Sequence, residues 1–301
     1  MNEINSFLIS KFGEENVLVN ESMKLHTTFR TGGNADYYVM PNAGDEEKII
    51  DTIKYCQSNN IDYIVLGNGS NVLVKDEGIR GVVLSLKNYD FFEVKEGCAY
   101  VGAGFSIAKA SKLFLDNGFT GLEFACGIPG TIGGAIFMNA GAYGGETKDV
   151  IETVTYIDLN DLDIKTISND ECKFSYRNSV FHTLNAIILS CTLKTVKGNT
   201  EEIKNKMDEN IASRNAKQPV NMPCAGSIFR REEGVVVAKL IDDAGLKGYK
   251  IGGAEVSTLH AGFIVNSGNA TSQDVLDLIE YIKKTIKEKY DVTLHEEIRV
   301  I

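Results

Sequence analysis

The chain has 301 residues, enough for two domains with an ample core. Its composition, 43% hydrophobic and 24% charged, is that of a globular protein, and no apolar run approaches the ~18 residues of a membrane span. A net charge of -10 at pH 7 disfavours nucleic acid or an anionic membrane as a partner, although local basic residues and backbone N–H groups can still hold a small anion.

Met1 to Phe12 lacks a basic segment followed by a long apolar one, so no signal peptide is expected and the cytoplasm is the expected location. The six cysteines contain no Cys-x-x-Cys pair and read as reduced core thiols. The four histidines are far apart in sequence, and no metal site is expected.

Tyr37–Met40 reads as a strand. Asp45 then caps a helix with an apolar face of Ile49, Ile50, Ile53 and Cys56. Tyr63–Leu66 is a short buried strand running into Gly67-Asn68-Gly69-Ser70-Asn71, and Val72–Val74 and Val82–Leu86 follow as strands. Phe91–Val94 and Ala99–Val101 read as strands. Ser106 caps a helix burying Ile107, Ala110, Leu113 and Phe114, with Gly118 at its end. From Gly121 to Gly145 no ordinary helix or strand is expected, since eight of the 25 residues are glycine. Strand pattern returns at Val154–Ile157 and Ala186–Leu193, and Glu201 to Ala216 is a polar connecting helix. Val235–Ala244 reads as a helix and Gly262–Val265 as a buried strand. Thr271 and Asp274 open a helix with Val275, Leu278, Ile279, Ile282 and Ile286 on one face. A final strand of Val292–Leu294 and Ile298–Ile301 completes a segment expected to bury its own core.

Backbone can approach a phosphate closely only where side chains do not intervene. Glycine removes the side chain and permits positive φ, so successive N–H groups can converge on an anion. Two segments fit this need: Gly67 to Asn71, and Gly127 to Ala135 continuing into Met138–Gly144. Neither is a Gly-x-Gly-x-x-Gly fingerprint, because Val72 follows the first Gly-x-Gly where a third glycine should stand. The phosphate-loop lysine signature is absent too. For a single glycine loop, tight turns would be explanation enough. Two loops in one chain favour a phosphate-bearing ligand.

At these residues the chain resembles the UDP-N-acetylenolpyruvoylglucosamine reductase (UDP-N-acetylmuramate dehydrogenase, MurB) family. The resemblance runs from about Asn20 to the C-terminus. It is carried by Thr28-Phe29-Arg30-Thr31-Gly32-Gly33, Leu66 to Val74, Gly127 to Gly144 and Tyr176-Arg177-Asn178-Ser179. Ala225-Gly226-Ser227-Ile228-Phe229, Gly245-Leu246-Lys247-Gly248, His260 to Asn266 and Leu294 to Arg299 complete it. It implies an α+β chain with a vanillyl-alcohol-oxidase/PCMH-type FAD-binding fold of two α/β subdomains and a C-terminal α+β substrate-binding domain. The expected division is 1–198 (subdomains about 1–86 and 87–198, core about 29–195) and 199–301. The chain resembles the shorter class, which lacks an extra tyrosine-bearing loop.

The implied activity is NADPH-dependent, FAD-mediated reduction of UDP-N-acetylglucosamine enolpyruvate in peptidoglycan precursor synthesis. A monomer or weak oligomer is expected. The implied FAD contacts are Gly67, Asn68, Gly69, Ser70 and Asn71 in the first turn. In the second they are Gly127, Ile128, Pro129, Gly130, Ile132, Gly133, Gly134, Asn139, Gly141, Ala142 and Tyr143.

Matching to the family implies three catalytic residues. Arg177 stands beside the substrate carboxylate, a task suited to a permanently charged, two-pronged guanidinium; an ordinary arginine there would make a surface ion pair. Ser227 is the implied proton donor to C2, against the alternative of a turn serine bonded to its own backbone. Glu297 is the implied acidic partner, chosen over Glu296 by motif register. Strand alternation would put Glu297 on a face with His295 and Arg299. A carboxyl group beside an enolate helps only if protonated or hydrogen-bonded.

Tyr176, Arg230, Lys239, Lys247 and Lys250 are candidate substrate contacts; for the cations, solubilising surface charge is an equal reading. Another flavin oxidoreductase on the same scaffold would fit the glycine loops but not the Ser227 and Glu297 motifs. A catalytically silent sugar-nucleotide binder would have no need of the three reactive residues.

Overall fold

The computed structural model describes residues 3–232 and 234–301. The chain divides into two packing units, one of residues 1–19, 37–68 and 81–212, the other of residues 20–36, 69–80 and 213–301.

The first unit opens with helix α1 (Glu3–Phe12), which buries Ile4, Leu8 and Phe12 at spacings of four. Helix α2 (Glu46–Ser58) buries Ile49, Ile53 and Cys56. Asp45 stands at its N-cap, but its side chain does not bond the helix backbone. Its carboxylate instead accepts the Asn42 N–H at 2.8 Å and pairs with Lys48 at 2.7 Å. Strand Tyr63–Leu66 runs parallel to residues 82–85.

A five-stranded antiparallel sheet follows, in the order Ile164–Ser168, Ile151–Asp158, Ala186–Lys194, Cys98–Gly102, Phe92–Lys95. Helix α3 (Ile107–Asp116) is capped as expected, the Ser106 hydroxyl accepting the Lys109 N–H. It buries Ile107, Ala110, Ser111 and Phe114, which leaves Leu113 only half-buried at the edge of that stripe.

The glycine-rich stretch holds a helix that its composition concealed. Helix α4 (Ile132–Met138) is capped by the Thr131 hydroxyl and buries Ile132, Ala135 and Ile136. Two glycines interrupt the apolar spacing, so no helical period shows. A Cβ on Gly133 would stand 3.0 Å from the Ala103 Cβ, so the bare residue lets the helix pack close. Helix α5 (Thr200–Lys217) buries only Ile203, Met207 and Asn210.

In the second unit, helix α6 (Val237–Asp243) precedes an antiparallel sheet of Lys250–Ile251, Ala254–Val256 and Ile264–Asn266. Helix α7 (Ser272–Tyr290) starts with a complete Thr271–Asp274 capping box, and Val275, Leu278, Ile279, Ile282 and Ile286 are all buried. Residues 292–294 form no strand. Arg299–Val300 instead pairs in parallel with Val72–Leu73.

The expectation that this segment buries its own core needs correction. Phe29 and Leu73, both fully buried, complete the same cluster as Leu278, Ile282 and Leu294. Asp76 also accepts the N–H groups of Ser272 and Gln273 at 3.0 and 3.2 Å, capping α7 from a distant part of the chain. Among the described residues no helix is long and apolar enough to cross a membrane.

Candidate functional site

In the first unit, Gly67 and Asn68 lie against the Gly127–Gly134 stretch. The Asn68 side chain donates to the Pro129 carbonyl at 2.8 Å, and a Cβ on Gly67 would come within 2.5 Å of the Thr131 hydroxyl. In the second unit, Gly69 adopts φ +61, and a Cβ there would overlap the His26 carbonyl. Among the described residues no acceptor is found for the backbone N–H groups of Gly69, Ser70 and Asn71 in this unit. Consecutive orphan donors on a side-chain-poor turn fit an anionic ligand such as the diphosphate of FAD.

Part of the second glycine stretch is engaged within the protein. The Ile132 and Gly133 amides are already bonded, to the carbonyls of Phe105 and Ala103 at 2.8 Å each. Asn139 is likewise spent within the protein. It is fully buried in the left-handed region at the end of α4. Its amide group donates to Glu146 and to the Ser175 carbonyl, and its side-chain oxygen accepts the Lys148 N–H. These bonds tie three pieces together: α4, the hairpin of Gly141–Ala142 with Gly145–Glu146, and the turn that carries Arg177.

Arg177 sits at φ 52 in the turn where Ser175 and Asn178 exchange backbone hydrogen bonds. Its guanidinium donates to the Gly141 carbonyl at 3.2 Å and lies 5.2 Å from the Tyr176 ring centre. The arginine is therefore held on the glycine hairpin, where Tyr143 is 39% exposed. Glu146 is held below the usual carboxylate range, chiefly by the Lys148 hydrogen bond, with Asn139 and the Arg177 charge contributing further.

The segments that carry Ser227 and Glu297 pair through their backbones in the second unit. The segment 227–230 runs beside 295–297: the Glu297 N–H donates to the Ile228 carbonyl at 2.7 Å, and the Arg230 N–H to the His295 carbonyl at 2.9 Å. Ser227 is half-buried, and among the described residues its hydroxyl has no hydrogen-bond partner. The self-bonded turn serine is thus not what the structure contains. Gly226, just before it, has φ +78 with nothing within 4 Å of where a Cβ would be, so the backbone there is open to close approach.

The structure also separates the two adjacent glutamates. Burial pushes the Glu296 carboxyl up, but hydrogen bonding to Lys283 at 2.8 Å helps hold it below its ordinary value. Glu296 is thereby committed to an ion pair with α7. Lys239, Lys247 and Lys250 are each paired with a carboxylate of their own unit: Asp243 at 2.6 Å, Asp242 at 2.6 Å and Glu255 at 3.1 Å. Arg230 donates its Nε–H to the Glu296 carbonyl at 3.2 Å.

Sequence reasoning passed over Thr131. Its position before Ile132 is the ordinary signal of an N-cap, but the surrounding glycines hid the helix it caps. The bonds of Glu146 and Lys148 to Asn139 carry no sequence signal.

Comparison with known proteins decides the family. Residues 218–301 match the family model of the UDP-N-acetylenolpyruvoylglucosamine reductase C-terminal domain. The chain is 49% identical over 288 residues to the UDP-N-acetylenolpyruvoylglucosamine reductase of Caldanaerobacter subterraneus subsp. tengcongensis, covering 96% of this chain and 94% of that one. The chain belongs to the UDP-N-acetylenolpyruvoylglucosamine reductase family. The reductase of Staphylococcus aureus (strain COL) is 44% identical over 287 residues, covering 95% and 92%. The crystal structure of the reductase from Thermus caldophilus superimposes with a TM-score of 0.80 at 31% identity, covering 94% of this chain and 97% of that one. Residues 36–167 match the FAD binding domain model. The α+β fold, with an FAD-binding domain followed by the reductase family's C-terminal domain, is as expected.

Proposed function

We propose that the protein reduces the enolpyruvyl ether of UDP-N-acetylglucosamine to UDP-N-acetylmuramate, with NADPH as electron donor, in peptidoglycan precursor synthesis. Identity of 44% and 49% to reductases over nearly the whole chain supports this reading most strongly. We retain residues 1–198 as the FAD-binding region and 199–301 as the substrate-binding domain, supported by the two family-model matches. We further propose a cytoplasmic monomer or weak oligomer.

Bound FAD supplies the hydride chemistry that no side chain offers. The orphan amides of Gly69, Ser70 and Asn71 would hold its diphosphate. Hydride arriving at C3 of the substrate drives negative charge toward the adjacent carboxylate. Arg177 binds that carboxylate and stabilises the developing charge, most effectively because it is held in place by Gly141 before the reaction. The Ser227 hydroxyl gives its proton to C2; a hydroxyl is a weak acid, but a carbanion-like centre is a strong base. Glu297 donates a hydrogen bond to the enolate-like oxygen. Motif register favours Glu297 over Glu296, and the ion pair of Glu296 with Lys283 is in keeping with that reading.

The test is turnover by the purified flavoprotein. NADPH oxidation should require the enolpyruvyl UDP-sugar, and the product should gain two hydrogens by mass. Oxidation indifferent to that substrate, or a colourless protein yielding no FAD on denaturation, would overturn the proposal.

A further inference from the structure

Glu297 is fastened through both of its backbone polar groups. Its N–H donates to the Ile228 carbonyl at 2.7 Å, and its carbonyl accepts from the side-chain amide of Asn71 at 3.2 Å. Asn71 is joined to the same stretch a second time, because its carbonyl accepts the Arg299 N–H at 3.1 Å. From there the two segments run on in parallel, Arg299 opposite Val72 and Val300 opposite Leu73. The Ile301 N–H bonds to the Leu73 carbonyl at 2.9 Å, and the Lys75 N–H to the Ile301 carbonyl at 2.8 Å. The Asn71 side chain adds one rung to this ladder beyond its end, and that rung falls on Glu297.

Fixing both peptide groups of a residue fixes the direction of its Cα–Cβ bond, and hence where its carboxyl group can reach. The bonds from the main chain survive any substitution; the one from Asn71 does not. The rung requires a donor aimed at a carbonyl. Asparagine supplies it, whereas an isosteric aspartate would turn a carboxylate on that carbonyl.

We propose that Asn71 is a positioning residue: its side-chain amide holds the backbone of Glu297 so that the carboxyl group meets the substrate. This rests on the reading that Glu297 acts on substrate. It gives the Asn71 side chain a task separate from the cofactor contact implied by family matching, which falls to the backbone amide.

The experiment uses the FAD-loaded enzyme and separates its half-reactions by stopped flow. Asn71→Ala keeps the main-chain amide and adds no charge; rates are taken per mole of bound FAD, with flavin reduction by NADPH as the internal reference. Reoxidation by the enolpyruvyl substrate should slow about 10-fold to 100-fold. In a Glu297→Gln background the same substitution should add less than about 2-fold, because the group it positions is gone. Asn71→Asp, which keeps the shape but not the donor, repeats the measurement should the alanine variant fold poorly. An equally slowed NADPH step, or full additivity with Glu297→Gln, would overturn the positioning role. Normal reoxidation in Glu297→Gln alone would overturn the reading of Glu297 as well, and that result is visible without touching Asn71.

Discussion

The Glu297 N–H donates to the carbonyl of Ile228, the residue after Ser227, at 2.7 Å. Seventy positions of sequence separate the proposed proton donor from the proposed acid, yet one backbone bond joins their segments. Among the described residues the Ser227 hydroxyl has no hydrogen-bond partner, which leaves it open to a group from outside the chain.

Ser227→Ala tests the donor directly. It removes one oxygen from a position where, among the described residues, that oxygen bonds nothing, so folding and FAD content should be unaffected. Flavin reduction by NADPH should proceed at the wild-type rate. Reoxidation by substrate should fall by about 100-fold to 10,000-fold, the usual scale for a lost general acid. Equal slowing of both half-reactions would remove the assignment.

Arg177→Lys separates charge from shape. The lysine keeps the positive charge but cannot bind two carboxylate oxygens in one plane, nor donate simultaneously to Gly141. Losing charge-assisted hydrogen bonds of about 1.5–3 kcal/mol predicts a 10-fold to 100-fold drop in kcat/KM for the enolpyruvyl substrate. Steady-state kinetics at saturating NADPH measures it, and a change confined to the KM for NADPH would contradict it.

Phe29 is fully buried among residues contributed by the C-terminal part of the chain. Phe29→Ala should cost about 3–5 kcal/mol, read as a shift of the urea midpoint followed by fluorescence. A negligible shift would show that the C-terminal residues keep their core without the N-terminal contribution.

The start of α7 predicts an acid-dependent loss of stability. Asp274 is held below its ordinary value first by the Thr271 N–H; burial opposes this, and the Gly253 N–H and Thr271 hydroxyl reinforce it. The folded state therefore binds fewer protons at this group than the unfolded chain does. Its contribution is complete above the unfolded value of about 3.9 and is lost as pH falls through the lower folded value. Asp274→Asn should flatten the fall of Tm with pH in that window. Thr271→Ala should cost about 1 kcal/mol at neutral pH by removing the other half of the cap.

Local chemistry was legible wherever a residue's neighbours in sequence are also its neighbours in space. The apolar face of α7 and its capping box depend on spacings of three and four, and both occur as read. The Ser106 cap and the run of Tyr63–Leu66 into a glycine turn are of the same kind. The site was legible as a set of motifs, since backbone that must approach a phosphate has to be glycine-rich wherever it lies in the chain.

What the tertiary structure decided are the pairings across long stretches of sequence. Composition cannot say that Leu73 completes the core of α7, that Asp76 caps that helix, or that the Ile132 and Gly133 amides are already taken. It could not show that Glu296 pairs with Lys283 either, because an ion pair depends on which side chains the fold brings within 4 Å, not on their order along the chain.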